Sequence, residues 1–129
     1  MGHSILVVDD QWVMRELIRD ILRLDGHEVS LAGSAHDALM QARATDFDLV
    51  ILDGRLPGGD GWEVLRTLRG ECPDRPVIMV TGFAPEEEWR RLDAGDPAGP
   101  FDILEKPFQV VTFRETVGRA LHARTEGPA

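Results

Sequence analysis

Four short apolar runs punctuate the chain: Ile5-Leu6-Val7-Val8, Leu49-Val50-Ile51-Leu52, Val77-Ile78-Met79-Val80 and Ile103-Leu104. Each ends at or next to a polar residue. Unbroken apolar runs of this length suit strands buried on both faces of a parallel sheet. Between them, apolar residues recur at helical spacing, as in Val13, Met14, Leu17, Ile18, Ile21 and Leu22. Strand and helix in alternation predict a parallel sheet with helices on both faces.

The intervening segments fill in the pattern. Asp25-Gly26 ends the first helix, a weaker strand covers residues 28–32, and Ser34 with Asp37 resembles a capping box for a helix over 35–44. A third strand is expected over 47–52, then a Gly- and Pro-rich loop, then a helix over about 62–69. After the turn at 72–76 and the strand at 77–80, Pro85 opens a helix with Glu86, Glu87 and Glu88 in its first turn. Asp96-Pro97-Ala98-Gly99-Pro100 excludes regular structure, and residues 101–105 form the fifth strand. Val110, Val111, Phe113, Val117, Ala120 and Leu121 give the last helix. The result is an α/β, doubly wound (βα)5 single domain over residues 4–123. Residues 1–3 read as a tag remnant and 124–129 as a frayed tail.

The 129 residues suffice for one sizeable core, and the net charge of −9 argues against direct nucleic-acid binding by electrostatic attraction. The single Cys72 excludes an internal disulfide and fits a reducing compartment. No apolar stretch approaches the roughly 20 residues that cross a bilayer, so no membrane association and a cytoplasmic location are expected.

In an open parallel sheet, ligands bind outside the carboxyl ends of the strands. The polar residues at the run ends are Asp9 and Asp10, Asp53, Thr81 and Lys106. Adjacent acids at one strand end are often only a solvated turn. Asp53, ending a second buried strand on the same side, changes that weighing. Three carboxylates at close range repel, and a hard cation such as Mg²⁺ relieves the repulsion. One of the three could also attack a phosphoryl group and form an aspartyl phosphate, with metal, lysine and hydroxyl groups stabilising the equatorial oxygens.

Four motifs occur in order on the (βα)5 pattern: Val7-Val8-Asp9-Asp10, the run Asp53-Gly54-Arg55-Leu56-Pro57-Gly58-Gly59-Asp60-Gly61, Val80-Thr81-Gly82 and Lys106-Pro107-Phe108. Together they resemble the receiver domain of two-component response regulators, the CheY-like superfamily, over residues 4–121. The resemblance implies a flavodoxin-like fold with strand order 2-1-3-4-5. It implies Asp53 as phosphoacceptor, and Asp9, Asp10 and Asp53 with the Arg55 backbone carbonyl as ligands of Mg²⁺, or of Mn²⁺ in its place. Lys106 becomes the phosphate-contacting lysine, Thr81 the switch hydroxyl, and Lys106-Pro107 a cis peptide. The donor is a histidine kinase or histidine phosphotransfer protein. A homodimer or an output domain would use the face formed by the fourth helix, fifth strand and fifth helix. The implied role is a signalling domain that promotes its own phosphorylation and dephosphorylation, and not an enzyme with a separate substrate. An aspartate-nucleophile phosphatase and a constitutive interaction domain remain as alternatives.

Three departures from the family pattern stand out. Ile103 occupies the position of the usual switch aromatic, and strand alternation places Phe101 on the same face. The segment 95–100 is longer than usual. Arg55 and Phe83, two residues beyond Asp53 and Thr81, are bulky where the family tunes phosphoryl lifetime, which predicts slow dephosphorylation.

Overall fold

The computed structural model describes residues 2–126. Its five main strands are β1 (Ser4–Val8), β2 (Glu28–Ala32), β3 (Leu49–Asp53), β6 (Val77–Thr81) and β7 (Asp102–Glu105), all parallel in the order β2-β1-β3-β6-β7. Counted by these strands alone, the order is 2-1-3-4-5, as expected from the sequence. The helices are α1 (Trp12–Leu24), α2 (Ala35–Ala44), α3 (Gly61–Glu71), α4 (Glu86–Asp93) and α5 (Val110–Glu126).

The apolar runs do what their continuity requires. Successive side chains of a strand point to opposite faces, so each run feeds two cores. Leu6, Val8, Val50, Leu52, Val77, Met79 and Ile103 pack toward α2, α3 and α4. Ile5, Val7, Leu49, Ile51, Ile78, Val80 and Leu104 pack toward α1 and α5. Leu6, Leu49 and Ile78 are fully excluded from solvent, and such burial contributes roughly 1.5–3 kcal/mol per large aliphatic side chain.

Local chemistry starts and stops the helices. The Asp37 N–H donates to Ser34 Oγ at 3.2 Å, and the Trp62 N–H donates to Asp60 Oδ1 at 2.9 Å. Gly26 adopts φ +86° just after α1, the left-handed conformation glycine supplies at helix ends.

Some expectations shift. Residues 47 and 48 precede the third strand, which gains Asp53. The Gly- and Pro-rich loop contains a small antiparallel pair, β4 (Arg55–Leu56) and β5 (Gly59–Asp60). Pro85 caps α4 from outside the helix. Within the described residues α5 continues past Ala123 to Glu126, while Met1 and 127–129 lie outside them. Ser4 opens β1, and the His3 carbonyl accepts the Glu28 N–H at 2.9 Å.

Phe101 is a correction. It packs in the α1–α5 core and Ile103 in the opposite one. The chain bends at Phe101 before β7 begins, and the bend breaks the alternation that would have put both on one face. The segment 95–100 is tied down: Arg69 donates to the Pro97 carbonyl from Nε at 3.1 Å and Nη2 at 2.6 Å, and Asp96 pairs with Arg91 at 3.0 Å.

Candidate functional site

Every strand-end residue singled out in the sequence lies at the carboxyl edge of the sheet. Asp53 closes β3 and Thr81 closes β6, while Asp9 and Lys106 directly follow β1 and β7. The sheet ladder reaches beyond the strands to hold the last two. The Asp9 N–H donates to the Ala32 carbonyl at 3.1 Å, and the Lys106 N–H to the Thr81 carbonyl at 2.9 Å. Residues up to 97 positions apart thereby meet.

One carboxylate oxygen from each of Asp9, Asp10 and Asp53 lies within 4.8 Å of the others. Asp9 and Asp53 are buried; Asp10 faces solvent. Lys106 Nζ donates to Asp9 Oδ2 and Asp53 Oδ2, both at 3.2 Å. The second oxygens are held by main chain: the Gln11 N–H donates to Asp9 Oδ1 at 2.9 Å and the Arg55 N–H to Asp53 Oδ1 at 3.1 Å. The Lys106-Pro107 peptide is cis.

Charge at the site is unbalanced. Three carboxylates face one ammonium. Burial pushes the Asp53 carboxyl above the ordinary range, and the Asp9 charge adds to the effect. The Arg55 N–H and Lys106 pull the other way without overcoming it. For Lys106, burial works against the charge, but the Asp53 and Asp9 carboxylates outweigh it and raise the ammonium pKa. Both directions point to a pocket short of positive charge. An all-oxygen donor set at this spacing suits a hard divalent cation, Mg²⁺ or equally Mn²⁺.

A cavity of about 380 Å³ opens above Asp53, lined by Asp10, Gln11, Arg55, Thr81, Gly82, Phe83 and Lys106. Thr81 is buried, and its hydroxyl is turned to its own loop, donating to the Phe83 carbonyl at 2.9 Å and accepting the Phe83 N–H at 3.2 Å. Phe83 is 67 % exposed at the cavity wall.

Sequence reasoning gave Gln11 no role, although a residue two after an Asp at a strand end is well placed for such a turn. In the sequence, Gly61 stands out only as the last residue of the motif that begins at Asp53. A Cβ on Gly61 would overlap the Asp53 carbonyl, and the Gly61 N–H donates to the Gly54 carbonyl at 3.2 Å. The start of α3 thus lies against the backbone that carries Asp53.

The model of the response regulator receiver domain family matches residues 5–118. Among curated proteins, the response regulator MprA of Mycobacterium tuberculosis is 38% identical over 126 residues, which is 98% of this chain and 53% of that protein. The probable transcriptional regulatory protein TcrX of the same organism is 38% identical over 107 residues, 83% of this chain and 44% of that protein. The transcriptional regulatory protein ZraR of Salmonella typhimurium is 38% identical over 125 residues, 96% of this chain and 28% of that protein. The chain therefore spans about half or less of these relatives. Among solved structures, a CheY-like receiver domain protein from Methanospirillum hungatei superimposes with a TM-score of 0.89 at 28% identity, covering 98% of each chain. NtrX from Brucella abortus gives 0.83 at 32% identity, covering 97% of this chain and 28% of that one.

Proposed function

The chain belongs to the response regulator receiver domain family, and from that membership we propose that Asp53 accepts a phosphoryl group from a histidine kinase or a histidine phosphotransfer protein. The observation that carries this reading is the closure of Asp9, Asp10 and Asp53 into one cluster with Lys106 bridging two of them. An Asp53 carboxylate oxygen attacks phosphorus, the bond from phosphorus to the donor imidazole nitrogen breaks, and that nitrogen leaves with the bond's electron pair. Lys106 moves its ammonium from the carboxylates to a phosphoryl oxygen, and Thr81 turns its hydroxyl to another. Asp9, Asp10 and Asp53, with the Arg55 carbonyl, would hold Mg²⁺, which supplies the positive charge that phosphoryl transfer requires. Output then passes through altered protein contacts on the face of α4, β7 and α5, to a second copy or an output domain. Direct nucleic-acid contact by this module is not part of the reading.

Intact-mass measurement after exposure to acetyl phosphate and Mg²⁺ tests the chemistry. A gain of one phosphoryl group is expected in the parent and none in Asp53→Asn; equal labelling of both rejects Asp53 as the acceptor.

Arg55 and Phe83 line the cavity, and their bulk would limit approach of water to the phosphoryl group. Arg55→Ala and Phe83→Ala are each expected to shorten the lifetime of the phosphorylated form severalfold, followed by the decay of the mass-shifted species. Unchanged decay in both would remove shielding from the account.

A further inference from the structure

Given the metal role proposed for Asp9 and Asp10, we infer that Arg15 is a positioning residue for the metal-binding turn and that Gly33 provides the space it occupies. Arg15 Nη1 donates to the Asp9 main-chain carbonyl at 2.8 Å. That carbonyl belongs to the peptide joining Asp9 to Asp10, so the contact fixes the plane from which Asp10 departs. A hydrogen bond from a charged donor is roughly twice as strong as a neutral one.

Asp10 needs that help. It is exposed, and among the described residues no hydrogen bond or ion pair holds its carboxylate. Its place beside Asp9 and Asp53 is therefore set by its backbone. Beside the main-chain bonds from the Asp9 N–H to Ala32 and from the Arg15 N–H to Gln11, two hydrogen bonds that use side chains hold that backbone: Arg15 on the preceding carbonyl, and the following Gln11 N–H on Asp9 Oδ1.

The position of Arg15 is not explained by α1 itself. A cation in the first turn opposes the helix dipole, and that turn carries no acidic residue to offset it. Helical side chains lean toward the N-terminus, which takes the guanidinium back over the Asp9 carbonyl. There it meets Gly33. A Cβ on Gly33 would overlap Arg15 Nη1 and lie 3.5 Å from Cζ. The Gly33 backbone does not call for glycine, since the glycines with positive φ are Gly26, Gly58 and Gly95. The neighbouring guanidinium does. Gly33 also directly follows Ala32, whose carbonyl accepts the Asp9 N–H, so the two sides of the Asp9 backbone are held by adjoining pieces of structure.

Calorimetric Mg²⁺ titration of the full chain tests the assignment in Arg15→Met, Arg15→Lys, Gly33→Ala and the Arg15→Met/Gly33→Ala pair. Hydrogen-bonding partners of metal ligands typically alter metal affinity by 10–100-fold, and Arg15→Met is expected to weaken Mg²⁺ binding roughly tenfold. Gly33→Ala should reproduce the loss, because the atom it overlaps is the tip of a flexible side chain that swings away. The double variant should bind no more weakly than Arg15→Met alone, since both changes remove one contact. Arg15→Lys should recover part of the affinity. Without metal, amide exchange at Asp10 and Gln11 should quicken in Arg15→Met. Parental affinity in Arg15→Met, or losses that multiply in the double variant, would overturn the assignment. So would a fall in melting temperature that accounts for the lost affinity, which makes Arg15 merely structural. A parent that binds no Mg²⁺ overturns the metal reading itself, whereas a parent that binds alongside an equal Arg15→Met overturns Arg15 alone.

Discussion

At the scale of single residues, Asp53 is the group whose ionisation the fold resists. Its pKa lies above the ordinary 3.8 because burial and the Asp9 charge disfavour the carboxylate. A carboxyl raised in the folded state carries no penalty below its unfolded pKa, where both states are protonated. As pH rises through the raised folded value, the unfolded chain ionises more readily and the fold loses stability. Asp53→Asn removes that penalty. At neutral pH in chelator, the Asn variant is expected to melt higher than the parent by on the order of 3 °C, equivalent to roughly 1 kcal/mol. The advantage should shrink as pH falls toward the carboxylate range. Saturating Mg²⁺ should cancel or reverse it, because a ligand that binds only the native parent stabilises that parent by mass action. A parent that melts above Asp53→Asn in chelator would contradict the charge imbalance read from the site. The strand-end acids were legible one by one as sequence letters because each terminates a buried run. The contact of Arg15 with Asp9 was not, since it depends on how closely α1 approaches the turn after β2.

At the scale of elements, the seam between α3 and α4 contains a buried carboxylate that the sequence places among the acids of a helix first turn. Glu88 is 3 % exposed, with Oε1 3.5 Å from Arg66 Nη2 and Oε2 3.8 Å from Arg91 Nη1. Oε2 has no hydrogen bond. Arg66 is half exposed, so the two partners do not lose equally when separated. Arg66→Ala leaves a buried carboxylate short of a partner and is expected to cost about 1–3 kcal/mol. Glu88→Gln relieves the buried charge while Arg66 hydrates, and should cost less than Arg66→Ala. Urea denaturation of both variants checks the order; a larger loss in Glu88→Gln would show that the ion pair is a net stabiliser. The same seam marks where sequence reading runs out. Four of the five main strands were legible because burial on both faces demands unbroken apolar runs, whereas β2, only partly buried, showed as a weaker pattern. The β4–β5 pair was not, because its residues, Arg55, Leu56, Gly59 and Asp60, have no alternation to detect. Phe101 was misplaced for a related reason: period-two reasoning holds only inside a strand, and the bend before β7 is a tertiary feature.

At the scale of the molecule, the sheet divides the interior into two cores, and the site sits where one edge of the sheet touches both. Thr81 ends β6 with its hydroxyl closing the turn to Phe83. That turn runs directly into α4, whose Trp89 and Leu92 pack with Ala84 against the core that contains Ile103 and Trp62. On the proposed function, a Thr81 hydroxyl that donates to a phosphoryl oxygen on Asp53 gives up its hydrogen bond to the Phe83 carbonyl, and residues 82–85 lose that tie to the strand end. Ile103 is a buried aliphatic with no polar group to exchange, so an aromatic rotation at β7 is not available as the carrier. The coupling we propose runs from Thr81 through the following turn to α4. To carry the switch from 1:99 to 99:1, the two states must differ by about 5.5 kcal/mol in their interaction with the phosphoryl group. Hydrogen exchange with and without acetyl phosphate and Mg²⁺ should therefore change over residues 82–93 in the parent. It should change equally in Ile103→Tyr, where an added ring has no established contact to exploit, and should fail in Thr81→Val despite retained phosphorylation of Asp53. Loss of every such change in Ile103→Ala, with Thr81→Val still responding, would place the relay in β7 and remove the turn after Thr81 from the path.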